Sequence, residues 1–226
     1  MINEVEAFVP LYITNECDGL CSICNMRKSN NHMHRIKPNK YKILQQLHFI
    51  YEYEKISAVC ILTGEYFSLK RRKENLSIVT WAIKEALNMG YERVFFNIGS
   101  LEDSEIFYLY EQLAGDERVV LSLFQETYDF SCYKKFFGDK QENNPKADYK
   151  RRFSTPERFL NAGFKNVDIG ILLGLNSSEA DVEALINHAN TLIENANDVY
   201  ISLPRIRGLN HNIFNNVMQW SSLYVI

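Results

Sequence analysis

Short apolar runs, rich in β-branched and aromatic residues, alternate along the chain with longer segments whose apolar positions recur every three to four residues. This alternation is the sequence mark of parallel βα units. The runs predict strands over 8–14, 58–62, 93–98, 119–124, 167–173 and 199–203, and the longer segments predict helices over 39–54, 74–89, 103–114, 155–161 and 178–194. Gly90, Gly115 and Gly163 stand where helices end, Pro156 is read at the first helical position that proline favours, and Ser177 or Ser178 is expected to cap the last helix. The stretch 129–151 shows no period and reads as irregular, with a polar loop tip at 141–145.

Six such units with right-handed crossovers suit either an open sheet or a partial (β/α)6 barrel, and periodicity does not choose between the two. In both architectures the chemistry sits at the carboxyl ends of the strands. With 226 residues, one domain over 1–208 with a short tail at 209–226 is the expected organisation.

The formal charge of -3 brings no general pull toward nucleic acid or anionic membrane. The basic run from Lys70 to Lys73 reads as a solvated loop. No apolar stretch reaches the roughly 20 residues that a membrane helix needs, and no secretory leader is legible at the start, so a cytoplasmic protein is expected. In that reducing setting five cysteines do not suggest a disulfide framework.

Three of them, Cys17, Cys21 and Cys24, form a C-x3-C-x2-C motif after the first strand. Soft thiolates at such short intervals suit an iron-sulfur cluster. Three ligands to a cubane of four irons leave one iron open to the amino and carboxylate groups of a second molecule. A zinc site completed by His32 or His34 is the rival reading, although structural zinc usually draws on two short ligand pairs and this motif is one triplet. Cys60 and Cys132 stand alone and read as buried or incidental thiols.

With this motif the chain resembles the radical S-adenosylmethionine (SAM) superfamily. Further segments resemble its aromatic amino-acid lyase branch, the tyrosine and tryptophan lyases: Leu11 to Asn15, Leu62 to Glu65, Gln125 to Tyr128, Asp148-Tyr149 with Arg152, Ile169 to Leu175, and Ser202 to Arg207. The resemblance implies a partial TIM-like barrel, a 4Fe-4S cluster on Cys17, Cys21 and Cys24, and SAM on the open iron. It also implies SAM contacts from Thr63, Gly64 and Glu65 to the amino group, Glu126 to the ribose, Arg152 to the carboxylate, and Gly170 and Gly174 beside the adenine.

Arg205 is expected to hold a substrate carboxylate, with Arg207 as the alternative, while Tyr12 reads as core in preference to a substrate contact. The implied reaction is reductive cleavage of SAM to a 5'-deoxyadenosyl radical acting on a small amino acid such as tyrosine or tryptophan. The electron would come from an external donor such as flavodoxin or ferredoxin. Another biotin-synthase-like or peptide-modifying reaction, and an inactive SAM-binding relative, are the alternatives. The sequence departs from the branch at Ile23, where an aromatic residue usually precedes the third cysteine, and it lacks the branch's usual C-terminal extension.

Overall fold

A computed structural model describes residues 7–139, 144–176 and 179–206. Ser177, Ser178, Arg207, most of the expected loop tip and the 209–226 tail lie outside the described residues. Six strands form one parallel sheet in the order of the chain: β1 (Phe8–Tyr12), β2 (Ala58–Leu62), β3 (Arg93–Asn97), β4 (Val119–Ser122), β5 (Asn166–Gly170) and β6 (Asp198–Ser202). The helices between them are α1 (Lys40–His48, continued by a wider turn over Phe49–Tyr53), α2 (Leu69–Met89), α3 (Asp103–Leu113), α4 (Phe130–Phe137), α5 (Tyr149–Asn161) and α6 (Glu179–Ile193).

Strand order is what separates the two architectures. A doubly wound sheet reverses its order at a switch point, whereas here every strand is added on the same side of its predecessor. The curl is visible in contacts that a flat sheet forbids. Arg93 on β3 donates from Nε to the Tyr200 hydroxyl on β6 at 3.0 Å, and the Phe95 and Tyr200 rings meet edge to face at 5.3 Å, although two strands lie between them. The structure is therefore a partial TIM-like barrel.

Alternation along each strand sorts the side chains by face. Val59, Ile61, Val94, Phe96, Val119, Leu121, Val167 and Ile169 point outward into the layer shared with the helices. Fully burying each such side chain contributes roughly 1.5–3 kcal/mol. Ala58, Cys60, Phe95 and Val120 point inward and pack with Leu62 and Tyr200.

Asp168 also faces inward. It is only 3% exposed, and its carboxyl group accepts hydrogen bonds from Ser122 Oγ (2.7 Å) and Ser202 Oγ (2.8 Å) on the two neighbouring strands. Burial dominates, and it pushes the pKa up from 3.8 to about 7 against those two bonds. The folded state thus holds this proton more tightly than the unfolded chain. The stability is complete below about pH 4 and is lost as the pH rises to about 7. Asp168→Asn, which can still bond both serines, is expected to match the parent at pH 4 and to exceed it above pH 7 in thermal melts; equal melts at both pH values would contradict this.

Three local readings are corrected. Helix α2 starts five residues early because Ser68 caps it, accepting from Arg71 N at 3.3 Å, so the basic run is helix rather than loop. Arg71 pairs with Asp18 and Glu16, and Arg72 with Glu105. The stretch read as irregular contains α4, capped by Asp129, whose Phe130, Tyr133 and Phe137 recur at helical spacing. Helix α5 begins at Tyr149 under an Asp148 cap, so Pro156 lies inside it and not at its first position.

Candidate cofactor site

The cysteine motif occupies the loop between β1 and α1, at the carboxyl end of the first strand. Its curl is tight. The point that a Cβ on Gly19 would occupy lies 3.1 Å from Cys17 Sγ and 3.6 Å from Cys21 Sγ, so two thiols flank a residue without a side chain. Cys17 Sγ accepts backbone N–H bonds from Gly19 (3.2 Å) and Glu65 (3.4 Å), which favour the thiolate. Burial acts the other way and dominates, raising the Cys17 thiol and pushing the Cys21 thiol up to about 12. Cys21 packs with Tyr133, Phe136 and Phe137 of α4, and Ile23 and Cys24 lie against the same cluster.

Such a donor set fits an iron-sulfur cluster: three soft ligands on one loop, Cys21 buried and Cys17 and Cys24 half-buried, with amide hydrogens aimed at the Cys17 sulfur. His32 and His34, which the zinc reading would draw on, are both exposed. Among the described residues, no three His, Cys, Asp or Glu side chains converge as they would on a single ion.

Gly64 makes the loop possible. A Cβ there would stand 2.2 Å from Glu16 O and 2.7 Å from Cys17 Cα, so the close approach it permits is that of the cysteine loop itself. Thr63 is used locally, donating from Oγ1 to Gly64 O and accepting from Asn75 Nδ2, both at 3.0 Å. Glu65 then carries the connection across the barrel mouth. Its backbone bonds the loop at Cys17, and its carboxylate accepts from Arg152 Nη1 at 2.8 Å.

Arg152 is 2% exposed and fully committed within the protein, giving Nε to Phe124 O at 2.6 Å and placing Nη2 3.5 Å from Glu126 Oε1. Burial opposes ionisation of Glu65, but Arg152 and Lys146 outweigh it and hold the carboxyl below its ordinary value. Gly99 completes this arrangement. At φ +86° it sits in the left-handed region, and a Cβ there would be 2.3 Å from Glu65 Cδ.

Glu126 is a non-glycine residue at φ +72°, a conformation costing about 1–2 kcal/mol. The surrounding bonds enforce it: Glu126 N donates to Gly170 O, and Leu172 N donates to Glu126 O at 2.8 Å. Its carboxylate is met by Lys146 Nζ at 2.5 Å. The sequence reading passed over Lys146, which lies in the stretch without periodicity.

Gly170 gives way to β6, because a Cβ there would stand 2.2 Å from Ser202 O, and Gly174 turns the chain at φ +98°. Arg205 is in register with Leu173, beyond β6 on the edge of the sheet opposite β1. Tyr12 corrects the expectation of a core residue: it is 58% exposed, and partial burial raises the pKa of its hydroxyl.

The geometry can be compared with known proteins. No protein-family model matches the chain. It is 26% identical over 213 residues to the 2-iminoacetate synthase of Escherichia coli K12, covering 91% of this chain and 51% of that protein. The crystal structure of the FeFe-hydrogenase maturase HydG from Carboxydothermus hydrogenoformans superposes with a TM-score of 0.79 at 25% identity, over 95% of this chain and 48% of that one. The chain resembles the radical SAM enzymes.

Methylornithine synthase shares the radical SAM fold more distantly, with a TM-score of 0.62 at 19% identity over 88% of this chain and 55% of its own. The chain spans about half the length of the curated relatives it matches. Among the described residues no helix is long and apolar enough to cross a membrane.

Proposed function

We propose that the chain is a radical SAM enzyme in which Cys17, Cys21 and Cys24 hold a 4Fe-4S cluster and the strand ends beside them hold SAM. The observation that carries this reading is one continuous set of bonds. It runs from Cys17 through Glu65 to Arg152 and on to Glu126, and so ties the cysteine loop to the loops after β2 and β4.

When bound, the cluster supplies the electron that cleaves SAM to methionine and a 5'-deoxyadenosyl radical. The chain's own residues bind and orient. Glu65, held ionised by Arg152, is a ready acceptor for the SAM amino group, and Glu126 for ribose hydroxyls. Arg152 acts in this scheme mainly by fixing both carboxylates, which differs from the role in SAM carboxylate binding that the resemblance implies. Gly170 and Gly174 accompany the adenine, and Arg205 meets the carboxylate of an amino-acid substrate. Burial of the Cys21 wall by Tyr133 and Phe137 keeps water from the reacting centre.

The substrate we favour is tyrosine or tryptophan, cleaved at a carbon-carbon bond near Cα, with the electron supplied by a flavodoxin or ferredoxin. This rests on the sequence's resemblance to the aromatic amino-acid lyase branch, with the similarity to 2-iminoacetate synthase and HydG in support. The test is reconstitution with iron and sulfide followed by SAM and dithionite. Formation of 5'-deoxyadenosine is expected, with p-cresol from tyrosine or an indole fragment from tryptophan. A fully loaded protein that makes no 5'-deoxyadenosine would overturn the enzyme reading. One that makes it without either fragment would overturn the substrate alone.

A further inference from the structure

Lys146 belongs to a single 3-10 turn, Pro145–Ala147, which is fastened to the cysteine loop. Asn144 Oδ1 accepts from both Lys146 N (3.2 Å) and Leu20 N (3.4 Å), and Asn144 Nδ2 donates to Phe137 O. Tyr133 donates from its hydroxyl to Lys146 O. The ammonium group lies on Glu126 and 4.7 Å over the Phe137 ring, and Phe137 and Tyr133 are the residues that pack against Cys21. The Lys146 side chain is 17% exposed.

We propose that Lys146 is a positioning residue for the cluster: held on Glu126, it keeps a positive charge against the Cys21 side of the site and thereby sets the cluster's reduction potential. This rests on the function proposed above. Glu65, Glu126, Lys146 and Arg152 together sum to zero charge, with Arg152 committed to Glu65 and the Phe124 carbonyl. Three thiolates beside them already make addition of an electron costly. Removing Lys146 leaves the wall negative, in a sheltered place where charge is poorly screened, and the reduced state is the one that loses most.

Lys146→Gln keeps a hydrogen-bond donor for Glu126 and removes the charge. With the protein reconstituted and its iron and sulfide counted, the reduction potential is read by a redox titration followed by EPR. At a fixed potential the ratio of reduced to oxidised cluster in the glutamine variant is expected to fall about tenfold, a shift of about 59 mV to lower potential for one electron. Lys146→Arg is expected to stay within about threefold of the parent, and Glu126→Gln to move the opposite way.

A fully loaded glutamine variant at the parent potential would overturn the role of Lys146 while leaving the proposed function intact. Equal shifts in the arginine and glutamine variants would overturn it too, because they would report disturbed packing. A parent protein that takes up no cluster would overturn both readings. Should the glutamine variant not load, the sign of the Glu126→Gln shift decides, and a shift to lower potential would sink the proposal.

Discussion

Cys24→Ala is expected to leave the barrel folded and to bring iron-sulfur absorbance and 5'-deoxyadenosine formation down to background. A cluster with two protein ligands has two irons open to water and thiol, and it is lost before it can meet SAM productively. Cys24 is half-buried, so its truncation costs little stability. Cys21→Ala should show the same loss of cluster together with a lower melting temperature, since Cys21 is buried among Tyr133, Phe136 and Phe137 and its removal leaves a gap. Cys60→Ala and Cys132→Ala serve as controls expected to keep their iron, because neither thiol lies on the loop. Visible absorbance, iron content and product formation decide the matter, and a Cys24→Ala protein with the parent's cluster spectrum would remove the basis of the assignment.

Arg152→Met is expected to be the most destabilising single change at the site. It strips Glu65 and Glu126 of a buried cation and leaves the Phe124 carbonyl without its Nε donor. Removing one partner of a buried pair costs about 3–5 kcal/mol, and here Glu65 loses its hydrogen-bonded cation. For a chain of this size each kcal/mol lowers the melting temperature by roughly 2–4 °C, so a fall of about 6–20 °C is expected in a thermal melt followed by circular dichroism.

The pH dependence has a definite sign. The Glu65 carboxyl is held below its ordinary value of 4.5, so the pair stabilises the fold above that pH, and the contribution is lost as the pH falls through the lowered value. Adding Glu65→Gln to Arg152→Met is expected to recover part of the loss. A double variant as unstable as the sum of the two single variants would show that the pair is not coupled.

Local pattern made much of this protein legible. The strand at 58–62 is found as predicted, and the other strands begin within one residue of their expected starts. Their signal is a short apolar run rich in β-branched and aromatic residues. The early start of α2 was hidden because Lys70 to Lys73 carries no apolar period, although these residues form helix readily once Ser68 caps it. The eight residues of α4 are too few for a period to stand out from a stretch rich in polar residues. Lys146 had no local signal at all, since its place depends on Asn144 bonding Leu20 from 124 residues away.

The sequence by itself determined the order of the strands and of every helix but α4, and placed three soft ligands on one loop, because face, period and ligand spacing are local properties of the chain. Tertiary structure decided that the sheet curls into a partial barrel, since the alternation of side chains records which face a residue takes and not how far successive strands rotate. It decided that Gly64 makes room for the cysteine loop, and that Arg152 is held by Glu65 across 87 residues of chain. It also brought Lys146 to Glu126. Each of these depends on two backbones or two charges meeting after separate loops have closed, and such meetings leave no periodic trace in either segment.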